Sequence, residues 1–311
     1  MNATSSLSRR QFLRSALAAT SALALAGARP ASLRAEQGFR PPIALFDKIL
    51  HQMKLSLEDS AALVGEVGFD GVDCAVRPND RIEPARVRDD LPHYAELLRK
   101  RGRKVMLLTT AILNPTSPHA RDVLETGQKL GVTTYRVAFM RWKKSARPDK
   151  QLAELKAQLR ELVALNRALG LCAVLQNHSP GGEAGYLCGD LNQMYEVVSE
   201  FPPAQLGVAF DLGHALIVHG DEWKTHFEKL KARIRVAYIK DADRQRHFVP
   251  FSEGEFGRTD YFTRLRKMNY SAPLSVHIEY DWARGGEKNR EALTRALHES
   301  LGVLRKWLAD A

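Results

Sequence analysis

Residues 208–214 read Val-Ala-Phe-Asp-Leu-Gly-His, an apolar run that ends abruptly in residues able to bind ligands or move protons. Three other apolar runs end in the same way, in Gln176-Asn177-His178, in Lys240-Asp241 and in His277-Ile278-Glu279. Short apolar runs of this kind are typical of buried strands. When such strands lie parallel in a closed sheet, the residues at their C-terminal ends gather at one mouth. The pattern therefore predicts a barrel and the location of its active site.

Strand-like and helix-like segments alternate from about residue 43 to the end of the sequence. The predicted strands are 43–46, 71–76, 105–109 and 134–140, followed by four that end at Gln176, Asp211, Lys240 and Glu279. Eight strand–helix units suit a closed parallel barrel. No Gly-rich dinucleotide loop follows the first strand, which argues against an open doubly wound sheet. We predict an α/β fold, a (β/α)8 barrel forming a single domain over residues 36–311.

Composition narrows the class of protein. The chain has 311 residues, 44% of them hydrophobic, which suits one large domain. Its formal charge of +10 includes five arginines and no acidic residue within positions 1–35, so the remainder carries about +5 without a dense basic run. We therefore expect no nucleic-acid partner. The three cysteines show no zinc-type spacing, and their odd number argues against a full disulfide framework.

The N-terminal segment predicts export. Arg9-Arg10 precedes an apolar stretch from Ala16 to Ala28, followed by small residues suited to cleavage. This layout is typical of a twin-arginine signal peptide over residues 1–35, and the stretch is too short to span a membrane. No cysteine follows it that could carry a lipid. We expect a periplasmic or otherwise exported protein without a membrane anchor after signal cleavage.

Alternation along the strands predicts which side chains point into the barrel. In the last strand Leu274, Val276 and Ile278 share the face that meets the helices, so His277 and Glu279 point inward. The same reasoning turns seven further side chains inward: Asp73, Arg77, Arg136, Gln176, Asp211, Tyr238 and Lys240. Charges so close to a barrel axis need partners, a metal or a ligand.

Several of these side chains have open alternatives. Asp73 can form a structural ion pair with Arg77 or Arg136, or both arginines can bind a carboxylate or phosphate of a substrate. His214 can cap the following helix or contact substrate, and His178 precedes a Pro-Gly-Gly loop that favours ligand contact. His277 completes the expected substrate-binding set.

The order of the motifs resembles the xylose-isomerase-like TIM-barrel superfamily, specifically its sugar phosphate isomerase/epimerase group, over about residues 43–308. The resemblance rests on short segments that recur in order: 68–73, 176–178, 210–214, 239–241, 249–257 and 277–279. It implies a TIM barrel that moves a proton next to a carbonyl of a small carbohydrate. Members hold one divalent metal between Glu, Asp, His and Glu at the ends of strands five to eight, and the two glutamates move the proton.

Two positions depart from the pattern that the resemblance implies. Asp211 matches the Asp and Glu279 the last Glu, but Gln176 stands in place of the first Glu and Lys240 in place of the His. The pairing at strand seven can shift to Tyr238 or Asp241, and His214, His247 or His277 can supply the missing nitrogen. One hypothesis is a Mn²⁺ or Mg²⁺ ion on Asp211, Glu279 and Gln176 that polarises the carbonyl.

A second hypothesis needs no metal: Lys240 supplies the positive charge, and Glu279 still moves the proton. A third is a carbohydrate-binding barrel without catalysis, or a subunit of an oxidoreductase or lyase complex. Related barrels often pair, so a homodimer is a further expectation.

Overall fold

The computed structural model describes residues 38–180 and 185–311, in which Pro41–Ala311 forms one compact unit. Eight parallel strands close into a barrel in the order β1-β2-β3-β4-β5-β6-β7-β10, and β10 pairs back to β1 through Ile43 opposite Leu274. These strands are β1 Ile43–Phe46, β2 Gly71–Val76, β3 Lys104–Thr110, β4 Thr134–Arg136, β5 Cys172–Gln176, β6 Leu206–Asp211, β7 Ile234–Ile239 and β10 Leu274–Val276. The prediction of a (β/α)8 TIM barrel is confirmed.

Helices surround the sheet and follow the strands in sequence. They are α1 Lys48–Gln52, α2 Leu57–Val67, α3 Val87–Arg99, α4 Ala120–Lys129, α5 Pro148–Leu169, α6 Leu191–Val198, α7 Leu212–His219, α8 Trp223–Leu230, α9 Tyr261–Lys267 and α10 Arg290–Ala309. The sequence sets their ends: the hydroxyl of Ser56 accepts the Asp59 N–H at the start of α2. Gly170 ends α5 at φ 67°, a left-handed conformation that glycine adopts without strain.

Apolar side chains fill the lower part of the barrel. A buried cluster of Ala44, Met106, Val174, Ala209 and Val236 packs around the barrel axis, and Tyr238 closes it toward the C-terminal ends of the strands. Burying apolar surface contributes roughly 25 cal/mol per Å², so this layer stabilises the barrel beneath the polar residues.

The structure corrects several predicted boundaries. The fourth strand ends at Arg136 instead of residue 140, the seventh at Ile239 instead of Lys240, and the eighth at Val276 instead of Glu279. Helix α7 was not predicted and starts directly after Asp211, with no loop between strand and helix. The loop after β7 contains a small antiparallel hairpin of β8 Asp241–Ala242 and β9 Phe248–Val249.

The predicted signal peptide, residues 1–35, lies outside the described residues. Among the helices that the structure describes, none combines the length and the hydropathy needed to cross a membrane.

Candidate active site

A buried ammonium group lies between two carboxylates at the C-terminal mouth of the barrel. Nζ of Lys240 is 2.8 Å from Oε2 of Glu279 and 3.1 Å from Oδ2 of Asp211. Lys240 is 1% exposed and Asp211 fully buried, whereas the Glu279 side chain retains 28% of its surface. The ends of β6, β7 and β10 thus converge on one ion triad whose accessible member is Glu279.

Asp211 is held by both its backbone and its side chain. Asn177 accepts the Asp211 N–H through Oδ1 at 2.8 Å and donates Nδ2–H to the Asp211 carbonyl at 2.8 Å. One carboxylate oxygen caps α7 by accepting the His214 N–H at 3.1 Å. The other accepts Nε2–H of Gln176 at 2.9 Å. The backbone and both carboxylate oxygens of Asp211 are therefore held by protein contacts in the absence of a ligand.

The triad is ionised. Burial alone would raise the pKa of Asp211, but the charge of Lys240 outweighs it and holds that pKa below its usual range. The same opposition of burial and Lys240 leaves the pKa of Glu279 well below its usual range. Burial disfavours the ammonium, yet the two carboxylates raise the pKa of Lys240 above that of a free lysine. The three groups together carry one net negative charge.

His214 is neutral and lies between Ser179 and Lys240. Burial and the neighbouring Lys240 place its pKa well below the usual range. Its Nδ1 lies 3.1 Å from the Ser179 backbone N and 2.8 Å from the Ser179 hydroxyl oxygen, and its Nε2 lies 3.1 Å from Nζ of Lys240. The ammonium of Lys240 therefore has three close neighbours, namely Asp211, Glu279 and this ring.

Gly213 makes room for this lysine. A Cβ atom at position 213 would lie 2.6 Å from Cγ of Lys240 and 2.7 Å from its carbonyl oxygen, both too close for real contacts. The first turn of α7 can therefore pack against the end of β7 only because residue 213 has no side chain.

His178 lies above His214, with ring centroids 3.8 Å apart. Its Nδ1 is 2.6 Å from the Ser179 carbonyl, which can only accept, so Nδ1 carries the hydrogen and Nε2 the lone pair. Burial, followed by Lys240, lowers the pKa of His178 and keeps the ring neutral. His178 is half-buried and offers a free acceptor to a ligand.

His277 lies deeper, between two aromatic rings. Its ring centroid is 4.5 Å from that of Phe46 and 4.4 Å from that of Tyr238. Nδ1 is 3.7 Å from Glu279 Oε1, too far for a hydrogen bond, and neither ring nitrogen has a partner among the described residues. Unpartnered buried nitrogens are costly, so this position suits a bound water or a substrate hydroxyl.

The arginines do not pair with Asp73 as one interpretation expected. Asp73 instead accepts the hydroxyls of Thr109 at 2.8 Å and Ser275 at 2.9 Å. Arg77 forms an ion pair with Asp80 and donates Nε–H to it at 3.0 Å. Arg136 is 3% exposed and lies over the ring of Phe139. Neither arginine forms an ion pair with the carboxylates of the triad or with Asp73 among the described residues.

Asp241, an alternative counterpart at strand seven, and His247, an alternative source of the missing nitrogen, both have other partners in the structure. The carboxylate of Asp241 accepts backbone N–H groups of Ala242, Ser252, Gly254 and Phe256 at 2.9–3.2 Å, so it anchors its own loop. His247 is exposed and contacts Asp243. Lys240 is the residue of this segment that reaches the two carboxylates.

A cavity of about 290 Å³ opens beside Glu279. Phe46, Trp282, Lys48 and Lys288 contribute to its walls. A larger cavity of about 400 Å³ lies at the opposite end of the barrel, against Pro42, Lys104 and Pro273, where no member of the ion triad is found. The cavity beside Glu279 is therefore the candidate entrance for a substrate, because it is the one of these two cavities that reaches the ion triad.

The residues at the mouth do not fit a divalent metal. The ammonium of Lys240 occupies the point where Asp211 and Glu279 converge, and a protonated amine cannot be a ligand. Gln176 directs its amide N–H groups, not its oxygen, toward Asp211. Within residues 38–180 and 185–311, no three His, Cys, Asp or Glu side chains are grouped to hold an ion.

Sequence reasoning missed Asn177 and Ser179. Both belong to the polar end of the fifth strand, where Asn177 fixes Asp211 and Ser179 contacts Nδ1 of His214. Their position beside Gln176 and His178 was the only signal available.

Comparison with known proteins supports the fold. The family model described as xylose isomerase-like TIM barrel matches residues 61–307. A 3-keto-D-glucoside 4-epimerase from E. coli is 15% identical, with a TM-score of 0.63 over 86% of this chain and 100% of the other. An L-ribulose 3-epimerase is 14% identical, with a TM-score of 0.65 over 87% and 95%.

A xylose isomerase-like TIM barrel protein from Mycobacterium smegmatis in complex with magnesium is 14% identical, with a TM-score of 0.59 over 86% of this chain and 98% of the other. No curated protein sequence matches the chain. At these identities the likeness establishes the shared barrel.

Proposed function

The chain belongs to the xylose isomerase-like TIM barrel family, and we propose that it moves a proton next to a carbonyl of a carbohydrate with a lysine where a metal would otherwise act. The reaction class is isomerisation or epimerisation of a sugar or a sugar-derived keto acid. The proposed proton-transfer residue is Glu279, and Lys240 is the proposed electrophile.

One observation carries the proposal. The ammonium of Lys240 lies within 3.1 Å of both Asp211 and Glu279, the two residues that match the metal-binding carboxylates of the resembled group. A cation held between two fixed anions has little freedom to reorganise, which favours stabilisation of a developing oxyanion. Apolar side chains in place of the whole ion triad would stabilise a fold about as well. Folding alone therefore does not explain why these three charges are buried together.

In the proposed step, the Glu279 carboxylate takes the proton from the carbon beside the substrate carbonyl. The C–H electron pair becomes the new C=C bond, and the carbonyl π pair moves onto oxygen. An N–H of Lys240 exchanges one of its present contacts for a hydrogen bond to this enolate oxygen. Glu279 then returns the proton to the former carbonyl carbon while the hydroxyl proton of the neighbouring carbon passes to the enolate oxygen, which moves the carbonyl by one carbon. Epimerisation at the first carbon would instead need a proton donor on the opposite face of the enolate.

Neighbouring residues have positioning roles. Gln176 and Asn177 hold Asp211, which in turn holds Lys240. His178 and His277 present unoccupied nitrogens that suit substrate hydroxyl groups.

The alternative with bound Mn²⁺ or Mg²⁺ requires Lys240 to leave the carboxylates and Gln176 to turn its oxygen inward. Both changes would break hydrogen bonds at 2.8–3.1 Å in a buried site. We therefore favour the lysine form.

A second candidate function, carbohydrate binding without catalysis, has one observation in its favour. Lys240 holds the pKa of Glu279 well below its usual range despite the burial of Glu279, which makes it a weak base in the ligand-free protein. Proton transfer then requires that substrate draws part of the lysine charge away from Glu279.

Solvent-deuterium exchange separates these functions. The protein is incubated in D₂O with a panel of ketoses, ketoglycosides and keto acids, and ¹H NMR follows loss of the proton beside the carbonyl. Exchange that disappears in Glu279→Gln supports proton transfer. Tight binding of a panel member without exchange supports the binding function and overturns the enzymatic one.

We also propose that residues 1–35 direct the folded protein to the periplasm through twin-arginine transport. The support is the Arg9-Arg10 pair followed by the apolar stretch Ala16 to Ala28.

A further inference from the structure

Arg136 is a buried cation without a counter-ion among the described residues. It is 3% exposed at the end of β4, and no described carboxylate lies within 4.0 Å of its guanidinium. Its one side-chain hydrogen bond within these residues runs from Nη1–H to the Val137 carbonyl at 2.9 Å. Burial lowers the pKa of Arg136, but guanidinium groups stay charged in proteins. A buried and unpaired charge calls for a ligand.

An aromatic stack fixes the orientation of this guanidinium. Arg136 lies 4.4 Å from the ring centroid of Phe139, whose ring stacks on Tyr186 at 4.4 Å. Arg141 lies 4.5 Å from the ring centroid of Tyr186 and donates to its hydroxyl at 2.8 Å. The contact with Phe139 restricts the guanidinium of Arg136, whose Nε–H and Nη2–H groups make no hydrogen bond among the described residues. A planar pair of N–H groups matches the two oxygens of a carboxylate.

Two other cations predicted to point into the barrel already have counter-ions. Lys240 contacts Glu279 and Asp211, and Arg77 contacts Asp80. Tyr238, whose hydroxyl has no described partner, is a further polar neighbour of Arg136. The guanidinium of Arg136 carries a single charge and one unused planar pair of N–H groups, which suits a carboxylate monoanion better than a phosphate dianion.

We propose that Arg136 binds the carboxylate of the substrate, so that the substrates are acidic sugars or keto acids rather than neutral sugars. The inference rests on the proposed function, since it assigns the opposite end of the same substrate. The carboxylate occupies the side of β4, and the carbonyl faces Lys240 and Glu279.

Binding of small probes tests the assignment without knowledge of the true substrate. Calorimetry and thermal unfolding are measured with pyruvate, glyoxylate, D-glucuronate and D-galacturonate, and with the neutral D-glucose and D-galactose. The acids should bind at least about ten-fold more tightly than the neutral sugars, because a charge-assisted bidentate contact is among the stronger hydrogen bonds. Inorganic phosphate should bind more weakly than the acids.

Variants localise the effect. Arg136→Gln should abolish the preference for acids, and Arg141→Gln, at the exposed end of the same stack, should keep it. Arg136→Lys retains the charge without the planar fork and should weaken binding of the acids alone, so it gives a reading even if Arg136→Gln does not fold.

The proposal is overturned if no acid binds, or if neutral sugars or phosphate bind as tightly as the acids. It is also overturned if Arg136→Gln and Arg136→Lys both retain the preference for acids. Acid binding without deuterium exchange would refute the proton transfer and leave this inference standing. Deuterium exchange into neutral ketoses alone would support the proton transfer and refute the binding of a carboxylate by Arg136.

Discussion

Nζ of Lys240 lies 3.1 Å from Nε2 of His214, a neutral ring whose other nitrogen contacts Ser179. The neutral ring interacts with the ammonium less strongly than the charged carboxylates of Asp211 and Glu279 do. The carboxylates, not the histidine, therefore set the position of the lysine, and this has consequences for its replacement.

Lys240→Met should destabilise the protein strongly at neutral pH, because it leaves two buried or half-buried carboxylates without their cation. We expect a decrease of about 3–5 kcal/mol in the free energy of unfolding, measured by urea denaturation at pH 7. The control is Lys231→Met, which breaks an exposed ion pair of 2.7 Å with Glu228 and should cost at most about 1 kcal/mol. Equal losses in the two variants would show that Lys240 is not held as described.

Replacement of Lys240 by His should create a metal site. Lys240→His removes the ammonium and adds an imidazole beside Asp211 and Glu279, and adding Gln176→Glu supplies a fourth ligand. Mn²⁺ at about 100 times its Kd should then stabilise the double variant by about 2.7 kcal/mol. The wild-type protein should gain nothing. Stoichiometric Mn²⁺ in the wild type, found by elemental analysis after dialysis, would favour the metal form of the site.

Acidification should weaken the fold through the buried histidines. Burial and Lys240 hold the pKa of His277 below the ordinary 6.5, so the folded state binds fewer protons than the unfolded state as the pH falls below 6.5. The free energy of unfolding therefore decreases as the pH falls below 6.5, by up to about 1.4 kcal/mol per pH unit for this one histidine.

His277→Phe and His277→Gln both remove this titration. For each variant we expect the free energy of unfolding, minus that of the wild type, to increase as the pH falls from 7.5 to 5.5. The increase should be the same for both variants, whatever their difference from the wild type at neutral pH. Urea denaturation measures these values. Differences that stay constant over this range would contradict a neutral buried His277.

Export can be tested with residues 1–35 fused to a folded fluorescent reporter. Cells with a working twin-arginine pathway should place the reporter in the periplasm, and replacement of Arg9 and Arg10 by lysine should retain it in the cytoplasm. Fractionation with fluorescence measurement gives the distribution. Equal export of both fusions would exclude the twin-arginine route.

The fold was predictable because each strand can be recognised from a short run of neighbouring residues. Apolar runs such as 172–176 and 206–211 fixed the strands, and alternation identified Asp211 as a mouth residue. The last residues of the predicted strands were harder to assign, because Lys240 and Glu279 have left the sheet and are held by side-chain contacts with residues distant in sequence.

Helix α7 was missed for a related reason. Asp211 ends a strand and caps a helix at the same time, so no turn residue separates the two elements. The sequence could identify Gln176 and Lys240 as departures from a family pattern, but not that Lys240 lies between the carboxylates. That relation depends on side-chain directions at three strands, which no local pattern contains.

Gly213 gives the site an evolutionary constraint. A side chain at position 213 would collide with the stem and the carbonyl of Lys240, although residue 213 itself offers no functional group. Any mutational path that enlarges residue 213 must displace the lysine, and with it the charge balance of Asp211 and Glu279. A random-mutagenesis screen for loss of function should therefore recover position 213 as often as the charged positions, and second-site revertants should cluster around the end of β7.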